Sequence, residues 1–222
     1  MNNAMELIDK NSLLKKIDEY EHTHLIHPSE YHIFSDLKEL TIQHPSYDLT
    51  YKRGQTYDDL LNKDPLTHVK SKYFYSAVVD RINIEIEAGV AKKFAVAIFD
   101  VNGLKYINDT YGHTKGDEYL CRAAKLICNT FKHSPVFRIG GDEFVVISID
   151  YDYRHRDDLM QTLHNISVIN IVSNDVVISG GISEYIPKTD TCFNDVFNRA
   201  DRYMYHDKKL LKNMGAKTRE DF

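Results

Sequence analysis

Two carboxylates, Asp142 and Glu143, stand side by side after a pair of glycines, Gly140 and Gly141. Like charges at adjacent positions repel, and a bound cation relieves that repulsion. Glycine carries no Cβ and tolerates positive φ, so backbone amides at such a corner can come close to a bound group. Metal or phosphate binding is one reading of the corner; a solvated turn is the other. A third carboxylate, Asp100, ends the apolar run Phe94-Ala95-Val96-Ala97-Ile98-Phe99. The end of a buried strand fixes a side chain in place, which is what a ligand group needs. Between these points, residues 100–117 are dense in polar side chains and glycines.

The elements that hold these groups show in the periodicity. Short β-rich runs on either side of the glycine corner predict a hairpin over 136–147. The run 94–99 predicts a buried central strand. Asp64-Pro65-Leu66-Thr67 opens a helix expected to reach about Glu87, with Phe74, Ala77, Val78, Ile82 and Ile86 at helical spacing and Gly89 as its stop. After a polar loop, Leu120, Ala123, Ala124, Ile127 and Phe131 form one helical face, for which Asp117 is a candidate N-cap. Leu159, Leu163 and Ile166 predict a third helix, 168–172 and 176–179 two further strands, and Phe193, Val196, Phe197, Ala200, Tyr203 and Met204 the last helix. This order predicts an α/β (α+β) fold with a mixed, largely antiparallel central sheet flanked by helices.

Residues 1–55 form a separate helical extension, with a weak apolar stripe at Leu7, Leu13, Leu14 and Ile17. His22, His24, His27 and His32 lack carboxylate or cysteine partners at fixed spacing and read as a polar connector rather than metal ligands. The expected division is 1–55 as a sensor, dimerisation or linker element and 56–222 as the main domain. With 222 residues, 42% hydrophobic and 27% charged, the chain reads as soluble and globular. A formal net charge of −5 argues against a nucleic-acid-coating surface, so an anionic ligand needs local cations or a metal. No run approaches the roughly 20 apolar residues of a membrane span. The start lacks a basic region followed by an apolar one. Cys121, Cys128 and Cys192 show no metal-type spacing, and a reduced, cytoplasmic protein is expected.

The stretch Asp100-Val101-Asn102-Gly103-Leu104-Lys105-Tyr106-Ile107-Asn108-Asp109-Thr110-Tyr111-Gly112-His113-Thr114-Lys115-Gly116-Asp117, taken with Gly140-Gly141-Asp142-Glu143-Phe144, resembles the GGDEF family of diguanylate cyclases. Asp64-Pro65-Leu66-Thr67 resembles the family's opening motif, and Ala200-Asp201-Arg202-Tyr203-Met204-Tyr205-His206-Asp207-Lys208 its closing one. The resemblance covers residues from about 60 to 215. It implies a palm-like nucleotidyl cyclase core that joins two GTP molecules into cyclic di-GMP and releases pyrophosphate. It implies that Asp100, Asp142 and the Val101 carbonyl hold Mg²⁺, two ions per site, with Mn²⁺ able to substitute. Glu143 would complete the second metal site or help take the proton from the attacking 3′-hydroxyl; both roles stay open. The metals would neutralise the α-phosphate and align attacking and leaving oxygens.

Asn108 and Asp117 match the family's base-reading pair. Guanine offers two donors, N1–H and the N2 amine, to an ionised Asp that only accepts. Adenine would leave that Asp unpaired. Lys105, Lys208 and Lys212 match cations that meet the triphosphate, and Gly140 and Gly141 bring the hairpin backbone to the substrate. Lys212 stands where Arg is usual and would act as a point charge. Arg138 either braces the hairpin or approaches a phosphate, and His113 is expected to structure its loop.

Three departures stand out. His68-Val69-Lys70-Ser71-Lys72 replaces the usual Gly-Leu-x-Asn-Arg after the opening motif, which puts the local turn in question. Asp207 replaces a small residue beside Lys208 and would blunt its charge. Phe131-Lys132-His133-Ser134 stands where many relatives carry an Arg-x-x-Asp product site, so no feedback inhibition through that site is expected. Since each such domain holds one GTP, the resemblance implies a homodimer across a two-fold axis. The rival readings are a catalytically silent GTP-binding receptor or scaffold, and a cyclase making another cyclic nucleotide.

Overall fold

A computed structural model describes residues 62–217. The extension expected over 1–55, with its histidines, lies outside the described residues. The apolar run ending at Asp100 is strand β1, Ala95–Val101, buried along its whole length. It occupies a central place because both its edges are paired. The sheet order is β2-β3-β1-β4, with β2 at Val136–Arg138, β3 at Glu143–Ser148 and β4 at Ile178–Glu184. Every ladder between these strands is antiparallel. A bridge from Lys70 to Phe137 adds a parallel pairing at the β2 edge.

Side chains alternate across a strand, so β1 serves two layers. Ala97, Phe99 and Val101 join Phe144 and Val146 of β3 on one face. There they meet Leu120, Ala123 and Ile127 of helix α3 (His113–Thr130) and Leu163 of helix α5 (Arg156–Ser173). The other face carries helix α1 (Lys72–Glu87) and helix α6 (Phe193–Asn213) through aromatic pairs, Phe74 with Phe137 at 6.2 Å and Phe94 with Phe193 at 6.1 Å. Asp100 alternates onto this second face, towards α6. The α/β class with a sheet flanked by helices is as expected from the sequence. No helix of the described residues is long and apolar enough to cross a membrane.

Five local expectations are corrected. Helix α1 begins at Lys72, not at Asp64, because Ser71 Oγ accepts the Phe74 amide and so caps it. Residues 104–111 are not loop but helix α2 (Leu104–Tyr111), whose Leu104 and Ile107 pack on the core one turn apart. Gly112 at φ 85 separates it from α3, so Asp117 lies inside α3 rather than at its cap. The β-branched run 168–172 is the last part of α5, not a strand. Val168 and Ile171 pack beside Val177 and Leu211, while Ile169 and Val172 are exposed, a helical and not a two-residue period. The strand expected over 176–179 starts two residues later, as β4. A short helix, α4 (Asp150–Arg154), precedes α5.

Candidate active site

Strand register sets the site. Asp100 is the direct partner of Glu143 on β3 and of Ser179 on β4. The Val101 amide donates to the Asp142 carbonyl at 2.9 Å. The strand end and the glycine corner therefore meet at the same end of the sheet. Asp100 and Asp142 are both buried, each 7% exposed, whereas Glu143 is exposed. Buried carboxylates need a counter-charge. For Asp100 it is Lys208, whose Nζ lies 2.7 Å from Oδ1. Lys212 follows Lys208 one turn later on α6.

The corner is held from outside by Arg138. Its Nη2 and Nε donate to the Gly141 carbonyl at 2.7 and 3.2 Å, and its Nη1 donates to Asp64 Oδ1 at 3.1 Å. Asp64 also accepts from the Thr67 amide at 2.8 Å and from the Thr67 hydroxyl at 2.7 Å. Burial pushes the Asp64 carboxyl up, but these hydrogen bonds and the Arg138 charge outweigh it and hold the group below its usual range. Arg138 thus braces the hairpin onto the opening motif. The altered turn after that motif does form, with His68 at φ 60. The glycine pair does not use positive φ; the described glycines that do are Gly89, Gly103, Gly112 and Gly215. A Cβ on Gly140 would lie 2.6 Å from Glu143 Oε2, whereas one on Gly141 would meet no protein atom within 4 Å. The Glu143 carboxylate is the far end of an exposed, flexible side chain that can swing away, so protein packing requires neither glycine.

The α2–α3 corner carries Lys105, Asn108, His113 and Asp117. The Asn108 side chain lies directly over Gly116, where any Cβ would collide with its Oδ1. This close approach sets Asn108 beside the residue that precedes Asp117. Lys105 and Asp117 are exposed, and His113 is the exposed first residue of α3. Tyr119, which the sequence reading passed over, ties this corner to the strand end. Its hydroxyl donates to the Asn102 carbonyl at 3.2 Å and accepts the Val177 amide at 3.1 Å. A tyrosine two residues after Asp117 was the available signal. Asp64 stands out in the sequence as the first residue of the opening motif, but nothing local shows that its partner is Arg138.

Among the described residues, no three His, Cys, Asp or Glu side chains gather as a metal-holding group. The donor set at the sheet end is two buried carboxylates and backbone carbonyl oxygen. That set fits Mg²⁺, which takes one or two carboxylates and relies on substrate phosphates for much of its shell. It suits zinc less well, since zinc sites are built mainly on histidine nitrogen and cysteine sulfur.

The family model for "Diguanylate cyclase, GGDEF domain" matches residues 61–214. The chain belongs to the GGDEF family. Among its relatives, Diguanylate cyclase A of Treponema denticola is 27% identical over 163 residues, covering 70% of this chain and 44% of that protein. Diguanylate cyclase DgcM of Escherichia coli is 28% identical over 128 residues, covering 56% of this chain and 30% of that one. The chain thus spans less than half the length of these curated GGDEF relatives. The GGDEF domain of DgcB from Caulobacter crescentus, solved in complex with c-di-GMP, superposes with a TM-score of 0.54 at 25% identity, over 67% of this chain and 90% of that one. The FimX GGDEF domain from Pseudomonas aeruginosa superposes at 0.55 with 17% identity, over 71% and 97%. That likeness is one of fold.

Proposed function

We propose that this chain is an active diguanylate cyclase, with residues 56–222 as the cyclase domain and 1–55 as a sensor, dimerisation or linker element. One observation carries the reading. The β1–β3 register brings Asp100 and Asp142, both buried, to one end of the sheet, with the Lys208 ammonium at the same place. Two buried carboxylates and a cation at the mouth of a sheet suit a metal–triphosphate complex better than a structural turn.

Asp100, Asp142, the Val101 carbonyl and Glu143 would hold two Mg²⁺, which when bound offset charge on the α-phosphate of GTP. Lys208, Lys105 and Lys212 would meet the triphosphate. Asn108 and Asp117 would read guanine, with Asn108 held in place over Gly116 and Asp117 in reach of solvent until a base covers it. Gly141, open on its Cβ side, would let the hairpin backbone approach the substrate. Glu143, exposed at the tip, is free to act as a second-metal ligand or as the acceptor of the 3′-hydroxyl proton. Arg138 is committed to Gly141 and Asp64 and acts here as a brace. Two copies, each presenting one GTP, would face each other for the two bond-forming steps. The reaction is expected in the cytoplasm, without product inhibition at 131–134.

Purified chain incubated with GTP and Mg²⁺, and separately with GTP plus ATP, tests the reading by product mass. Cyclic di-GMP in both reactions is the expected result. A mixed or adenine product would point to a different cyclic dinucleotide, and bound GTP without any product would point to a silent receptor.

A further inference from the structure

A cavity of about 350 Å³ lies between α5, β4 and α6, away from the glycine corner. Its wall contains a clamp. Asp207 Oδ1 lies 2.7 Å from His164 Nδ1, and Asp207 Oδ2 accepts the Gly180 amide at 2.8 Å. A carboxylate is here an acceptor only, so His164 Nδ1 carries the proton. The Asp207 side chain is 15% exposed, and its two oxygens tie α6 at once to α5 and to the free edge of β4. One turn earlier, α6 lies directly on Gly181, where a Cβ would run into the Met204 amide and the Ala200 carbonyl. The seat of α6 is thus fixed at Gly181 and locked again at Asp207. The very next residue is Lys208, which reaches Asp100.

Consecutive helix residues point about 100° apart and do not face each other. Asp207 therefore turns to the β4 edge while Lys208 turns to the sheet end. We propose that Asp207 and His164 are positioning residues: they fix the rotation and height of α6 so that the Lys208 ammonium is presented to Asp100 and to the incoming triphosphate. Asp207 does not act by blunting the charge of Lys208; its oxygens are spent on His164 and Gly180. This inference rests on the cyclase reading for the identity of the ligand, a nucleoside triphosphate.

The test is binding of 3′-deoxy-GTP with Mg²⁺ to the full chain by calorimetry, since that probe lacks the attacking hydroxyl and does not turn over. Asp207→Ala, which removes both hydrogen bonds of the clamp, and His164→Ala, which removes one, are each expected to weaken binding about five- to tenfold, because the loss reaches the triphosphate only through Lys208. Asp207→Asn is expected to restore most of it, because its amide oxygen still accepts from Gly180 and its amide nitrogen can donate to His164 Nδ1 once the imidazole proton moves to Nε2. In a Lys208→Ala background, Asp207→Ala should add no further loss, which a purely structural role would not produce. Tighter binding by both Asp207→Asn and Asp207→Ala would overturn the clamp in favour of charge blunting. An undiminished effect in the Lys208→Ala background, or a lowered melting point with unchanged binding, would overturn it in favour of general loosening. A parent that binds the probe but makes no cyclic product from GTP defeats the cyclase reading and leaves the clamp measurable; a parent that binds no probe defeats both.

Discussion

His68 sits at φ 60, in the turn that presents Asp64 to Arg138. A residue with a Cβ in the left-handed region costs about 1 kcal/mol more than glycine. His68→Gly is therefore expected to stabilise the fold by about 1 kcal/mol, read as a higher urea midpoint at an unchanged slope. A lower midpoint would mean that the imidazole itself holds the turn. At this scale the sequence was readable where chemistry rides on adjacency. Asp142 next to Glu143, after two glycines, announces itself. Partners far apart in the chain do not: Asp64 and Arg138 are 74 positions apart, and Asp100 and Lys208 are 108 apart. Nothing local to Lys208 shows that its partner is a strand-end carboxylate. Nor does Asp207 show from its sequence neighbours that it turns to a histidine on another helix. The glycines at 140 and 141 were legible as a corner, though they do not use the positive φ that glycine permits.

Elements were legible where a single period dominated. The run 94–99 and the hairpin over 136–147 formed as expected because apolar continuity and Gly-Gly punctuation agree. The stretch 168–172 failed because β-branched side chains favour strands, while the packing of Val168 and Ile171 against Val177 and Leu211 imposes a helix. Helix α2 was hidden by its polar surface, with only Leu104 and Ile107 marking a core side. Helix α6, which carries Lys208, is anchored at its start by Asp190. The Arg199 guanidinium bonds both Asp190 oxygens, at 2.8 and 2.9 Å, and holds that carboxyl below the usual range against the opposing push of burial. A lowered folded-state pKa gives stability that is complete above the unfolded value, near 4, and lost as pH falls through the folded one. Asp190→Asn should cost about 3 kcal/mol at neutral pH, since it leaves Arg199 partly buried without its counter-charge. Thermal melts should show the gap between parent and variant closing as pH drops below about 4. A gap that stays constant to pH 2 would rule out this ion pair as the cause.

For the whole molecule, the proposed reaction, which would join two substrates held on two copies, would make association part of the chemistry. If the homodimer is required, product formed per chain should fall with dilution, about tenfold for each tenfold step once protein concentration lies below the dimer dissociation constant. A rate per chain that holds constant under conditions where light scattering shows monomers would remove the dimer from the account. The likeness to GGDEF relatives covers the region from residue 61 to 214, and the role of 1–55 rests on position and pattern alone. The most direct measurement is the initial rate of cyclic di-GMP formation by the parent and by Asp142→Asn, compared at equal occupancy by GTP. The parent is expected to make product and the variant to make none above background, while its fold, read by melting, survives. An Asp142→Asn rate equal to that of the parent would show that the corner at the end of the sheet is not where the reaction is performed.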